Sequence, residues 1–113
     1  TKAAMLLTSD EYHALAEVLD FALLLDTGHL KVSARTFNRE YKIEFSSLIQ
    51  KAGYLQLSDN DGTKDQNRGL REESDVYQEL RKATITNKWL SLEVYEGIEC
   101  VKRSMTLVQK LLS

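Results

Sequence analysis

The chain has 113 residues, of which 42% are hydrophobic and 28% are charged, and its net charge is −2. This composition fits one domain with its own core, and it excludes a strongly basic nucleic-acid tail and an acidic disordered chain. The single cysteine excludes a disulfide framework and a multi-cysteine metal site. We predict one domain over residues 1–113. We expect it in the cytoplasm, without a membrane span, because no long apolar run or signal-peptide pattern is present.

The first predicted element is a helix over residues 9–26. The segment Thr-Ser-Asp-Glu at residues 8–11 is a capping box, which marks the start of a helix. Apolar side chains then recur at helical spacing through residue 25. Gly28 follows the last of them and supplies a left-handed C-cap in this interpretation.

The second predicted element is a helix over residues 33–52, where apolar residues again recur at spacings of three and four. An alternative divides this segment into a helix-turn-helix over 33–53, because Asn38 tolerates a positive φ. In the alternative, residues 54–57 form a strand. The phrase Leu-Ile-Gln-Lys-Ala-Gly-Tyr-Leu at residues 48–55 resembles the end of the recognition helix in winged-helix regulators.

A polar segment without any apolar side chain covers residues 58–69, and we predict a flexible, exposed loop there. A helix is predicted over residues 70–83, with acidic residues in its first turns and basic residues in its last turn, as the helix dipole favours.

The longest predicted helix covers residues 87–112. Its apolar residues are spaced by three and four positions, which is close to the heptad seam of a coiled coil. This predicts a dimer or partner interface made of Leu90, Val94, Ile98, Val101, Met105, Val108 and Leu112.

These elements predict a mainly α fold: a single-domain helical bundle with a long C-terminal helix. The alternative is a winged helix-turn-helix whose C-terminal helix serves for dimerisation. Four basic residues of the possible recognition region are candidates for nucleic-acid contact: Arg35, Arg39, Lys42 and Lys51.

No catalytic constellation is visible in the sequence. His13 and His29 lie near opposite ends of the first predicted helix, about 15 Å or more apart, so we do not expect them to share a metal. Surface positions are expected for both. We predict no catalytic residue, no cofactor and no metal site, and we infer no small-molecule substrate.

The sequence therefore favours a non-enzymatic regulatory protein that binds another protein and forms a homodimer through its C-terminal helix. A winged-helix transcription regulator that binds duplex DNA is the alternative. A small enzyme, such as a nuclease that uses His13 or His29, is a third hypothesis.

Overall fold

The computed structural model describes residues 8–19 and 22–113. Within them the chain forms α1 (Ser9–Ala16), β1 (Leu23–Asp26), α2 (Thr27–Thr36), α3 (Tyr41–Leu48), β2 (Ala52–Leu57), α4 (Asp75–Lys82), β3 (Trp89–Leu92) and α5 (Ile98–Leu112). The strands form one parallel sheet in the order β1-β2-β3. The protein is therefore α/β, and both the helical bundle and the winged helix are wrong.

The first predicted helix is correct at its start and wrong at its end. The side chain of Thr8 accepts a hydrogen bond from the Glu11 amide, and the Glu11 carboxylate accepts one from the Thr8 amide, so the capping box is confirmed. The helix ends at Ala16, and the leucines before Asp26 form β1 instead. A short apolar run fits a buried strand as well as a helix, so periodicity does not separate the two.

The second predicted helix is two helices, α2 and α3. They are separated at Asn38, whose φ of 54° confirms the turn expected in the helix-turn-helix alternative. The strand that follows α3 pairs in parallel with β1. The wing of a winged helix is a hairpin of antiparallel strands, so this pairing does not fit a wing. Gly28 lies in the first turn of α2 and is not a C-cap.

The two later helices begin further along the chain than predicted. α4 begins at Asp75, where the Ser74 hydroxyl caps its first turn. α5 begins only at Ile98, after Gly97, which has a φ of 99°. Residues 89–92, predicted as the start of the long helix, form β3, because pairing with β2 outweighs their helical spacing.

Helices α2, α3 and α4 cover one face of the sheet. Since strand order follows chain order, right-handed crossovers place α2, α3 and α4 on the same side. Leu25, Leu55 and Leu57 point to that side and join the buried core. The opposite face carries Leu24 and Tyr54, which are both exposed.

Glu44 fastens α1 to this core. Its side chain lies on α3, is buried, and accepts hydrogen bonds from both the amide (2.9 Å) and the hydroxyl (2.6 Å) of Ser9.

We expect Glu44→Ala to lower the free energy of unfolding by about 3 kcal/mol, because it removes a buried charged acceptor and leaves the Ser9 donors unpaired. Urea unfolding measures this loss. Glu40→Ala is the control, since Glu40 is exposed and its side chain makes no capping hydrogen bond, and it should change stability by less than about 0.5 kcal/mol. Equal losses in the two variants would contradict the role given to Glu44.

Candidate functional site

The candidate site lies at the carboxyl edge of the sheet, where ligands bind in open parallel α/β folds. Three segments meet there: the first turn of α2, the loop over residues 58–69 after β2, and residues 93–97 after β3. The sheet brings these segments together because all three strands point the same way.

Asp26 ends β1 and caps α2. Its carboxylate accepts a hydrogen bond from the His29 amide at 2.9 Å, and only 5% of the residue is exposed. Burial raises the pKa of Asp26 above its ordinary value, and the negative charges of Asp65 and Glu93 add to this. The His29 amide and ring act in the opposite direction without cancelling the increase.

His29 lies between two carboxylates. Its Nε2 is 2.6 Å from Asp65 Oδ2 and 3.8 Å from Asp26 Oδ2. The residue is buried, so the expected surface position is wrong for His29. We call Asp26, His29 and Asp65 the His29 cluster. A carboxylate that holds an imidazole in one orientation is the arrangement that general acid–base catalysis uses.

The polar loop holds the first turn of α2 in place. Asn60 donates from Nδ2 to the Gly28 carbonyl at 2.9 Å, and its Oδ1 accepts from the Gly62 amide at 2.8 Å. The Thr27 hydroxyl donates to the Ser58 carbonyl at 2.8 Å. The exposure predicted for residues 58–69 is therefore wrong at both ends of the loop: Ser58 and Asn60 are fully buried, and so is most of Asn67.

A second ionic contact lies one turn further along α2. Lys31 Nζ is 2.9 Å from Asp59 Oδ1 and 2.8 Å from Asp75 Oδ1. Burial lowers the pKa of Lys31, but the hydrogen bonds that Lys31 donates to Asp75 and Asp59 outweigh this effect, so the pKa is raised overall. Lys31 is thus a paired cation that joins α2 to the loop and to α4, and its charge is neutralised by its own partners.

The residues of the interface predicted on the last helix do not all lie on one helix in the structure. Leu90 and Val94 lie before α5. Ile98, Met105 and Leu112 are exposed at 66%, 49% and 42%. The remaining members, Val101 and Val108, are half-buried.

The four predicted nucleic-acid contacts do not share one recognition helix. Arg35 lies on α2, Lys42 lies on α3, and Lys51 precedes β2. Arg39 follows α2 and pairs with Asp10 at 2.8 Å. DNA binding through these residues stays a prediction.

The sequence reasoning missed the His29 cluster. The signal that could have found it is the series Asp-Thr-Gly-His directly after three leucines, because polar residues at the end of an apolar strand lie at the carboxyl edge. His13, the other histidine, lies elsewhere, with its Nε2 2.8 Å from Ser47 Oγ.

Across residues 8–19 and 22–113, no three His, Cys, Asp or Glu side chains are placed so that they could hold one metal ion. In the same ranges, no helix has the length and apolar character needed to cross a membrane. No protein-family model, curated protein or solved structure matches the chain.

Proposed function

We propose that the protein is an enzyme that transfers protons by general acid–base catalysis at the carboxyl edge of its sheet. The observation that carries this proposal is the buried His29 ring, 2.6 Å from Asp65 and 3.8 Å from Asp26. Two buried titratable groups beside a third carboxylate, at the edge of a sheet where ligands bind, are typical of active sites.

The environments of the cluster suggest a role for each residue. The raised pKa of Asp26 favours its protonated form, which suits a proton donor. With the Nε2–H of His29 donated to Asp65, the other ring nitrogen, Nδ1, suits the role of the base that takes a proton from carbon. Proton abstraction next to a carbonyl needs only these two roles.

The charges around the cluster favour a neutral substrate. Even with Asp26 protonated, Asp65 and Glu93 outnumber the single imidazole of His29, and Lys31 is occupied by Asp59 and Asp75. An anionic group would be repelled here. We therefore propose a neutral small molecule that carries hydroxyl and carbonyl groups.

The test is the exchange of carbon-bound hydrogen in D₂O, followed by proton NMR, with dihydroxyacetone and glyceraldehyde as neutral probes and pyruvate as an anionic one. We expect the protein to exchange the neutral probes faster than pyruvate. His29→Gln should lower the rate by about 100-fold or more, since a positioned acid or base contributes that much.

His13→Gln is the matched control, because the chain has two histidines and His13 lies away from the cluster. It should keep the full rate. Equal rates in the two variants, or a wild-type rate no greater than that of free imidazole, would contradict the proposal. That result would favour the sequence-based hypothesis of a non-enzymatic binding protein, which stays a prediction, as does the cytoplasmic location.

A further inference from the structure

The sheet face opposite the helices carries a row of exposed apolar side chains. The strand register aligns Leu24 with Tyr54 and Tyr54 with Trp89, so the row crosses all three strands. Their exposed fractions are 38%, 38% and 79%. Parallel sheets are almost always covered on both faces, so this row calls for a covering partner.

This row is a more continuous surface than the exposed side of α5. Ile98, Met105 and Leu112 lie about two turns from one another, roughly 10 Å along the helix axis. Neighbouring strands are only about 4.8 Å apart, so the three residues of the row lie side by side across the sheet.

We propose that the row binds the same row of a second copy of this chain, in a two-fold dimer with the two sheets face to face. The charged residues at the two ends of the sheet support a second copy of the chain as the binding partner. Lys51 and Lys88 lie at the amino edge, whereas Asp65 and Glu93 lie at the carboxyl edge.

The same charges select the orientation of the dimer. A two-fold axis along the strands would bring the two acidic carboxyl edges together. An axis across the strands places the amino edge of each copy over the carboxyl edge of the other, so that Lys51 and Lys88 approach opposite charges. In this arrangement each member of the row faces its own counterpart, and Trp89 becomes buried.

The size of the face sets the expected strength of the dimer. Three strands at a spacing of about 4.8 Å, over four residues of about 3.3 Å each, cover roughly 14 by 13 Å. Stable interfaces bury about 800 Å² per partner, whereas this face covers only about 180 Å², so we expect a weak dimer with a dissociation constant in the high micromolar range.

Trp89 is the only tryptophan of the chain and lies in the proposed interface, so its fluorescence tests the proposal directly. Between about 1 and 500 µM, its emission should shift to shorter wavelength while sedimentation velocity records the change from monomer to dimer. High salt should weaken the dimer. A monomer at 500 µM, or a dimer without an emission shift, would overturn the proposal.

Two variants locate the interface. Trp89→Glu should leave a monomer, whereas Met105→Glu, which adds the same charge to another exposed apolar position, should leave the dimer intact. Trp89→Ala, a milder change at an exposed side chain, should also give a folded monomer, with folding checked by circular dichroism. Loss of the dimer in Met105→Glu alone would place the interface on α5 and reject the sheet face.

Discussion

Asp26→Asn is expected to stabilise the protein at neutral pH and to abolish the proposed proton-transfer activity. Burial disfavours the ionised form of the Asp26 carboxylate, and the negative charges of Asp65 and Glu93 oppose its charge further. Asparagine can still accept the capping hydrogen bond from the His29 amide, but it carries no charge. We expect a gain of about 1 kcal/mol in the free energy of unfolding, within the range that single stabilising substitutions commonly reach.

The direction of the stability change follows from how the charge of Asp26 depends on pH. Because the pKa of Asp26 is higher in the folded protein than its ordinary value of 3.8, its protonated form adds stability below pH 3.8. That contribution is lost as the pH rises through the folded pKa. The advantage of Asp26→Asn should therefore be absent in acid and grow toward neutral pH, as urea unfolding at several pH values would record.

Asp61→Asn is the matched control with the opposite sign. Hydrogen bonds from the hydroxyl and the amide of Thr63 hold the pKa of Asp61 well below its ordinary value. This exposed carboxylate therefore adds stability above its unfolded pKa and loses it in acid. If both variants changed stability in the same direction at neutral pH, the account given for Asp26 would be wrong.

Gly28→Ala is expected to destabilise the protein by about 2 to 3 kcal/mol, although alanine is the better helix former. A Cβ at Gly28 would lie 2.5 Å from Ser58 Oγ and 3.2 Å from Asn60 Nδ2. Helix propensity favours alanine by about 1 kcal/mol, and overpacking a rigid contact costs about 1 to 3 kcal/mol or more. The steric term wins because both neighbours are fully buried.

The double variant Gly28→Ala with Ser58→Ala separates these two effects. The Ser58 hydroxyl is buried and has no hydrogen-bond partner in the part of the chain that the structure describes, so its loss alone should change stability little. With the hydroxyl gone, the alanine at position 28 should recover most of the lost stability. A double variant as unstable as Gly28→Ala would show that the contact with Ser58 is not the cause.

The sequence predicted those elements whose signals are local. In the capping box, Thr8 and Glu11 hydrogen-bond to each other, and the turn at Asn38 depends on the positive φ of that one residue. β1 and β3 lack such signals, because a four-residue strand depends on partners far away in the chain. Trp89 to Leu92 matched a helical spacing, and only β2 decides that they form a strand.

The candidate site was out of reach for the same reason. His29 meets Asp26 within one helical turn, but it meets Asp65 only because the loop after β2 returns to the carboxyl edge. The polar composition of that loop predicts exposure, whereas Asn60 uses its polar atoms to bind backbone groups of α2 and of the loop itself. Burial of a polar side chain through such pairing is not visible in composition.

The strands lie in the sheet in the same order as in the chain, and this order has a consequence for how the protein folds. Each new strand finds its partner already at the edge of the existing sheet, so β1 and β2 can pair before β3 is available. Assembly can then proceed in the direction of synthesis, one strand and its following helix at a time. The β3–α5 unit, added last and at one edge, is expected to exchange its amide hydrogens sooner than the β1–β2 pair.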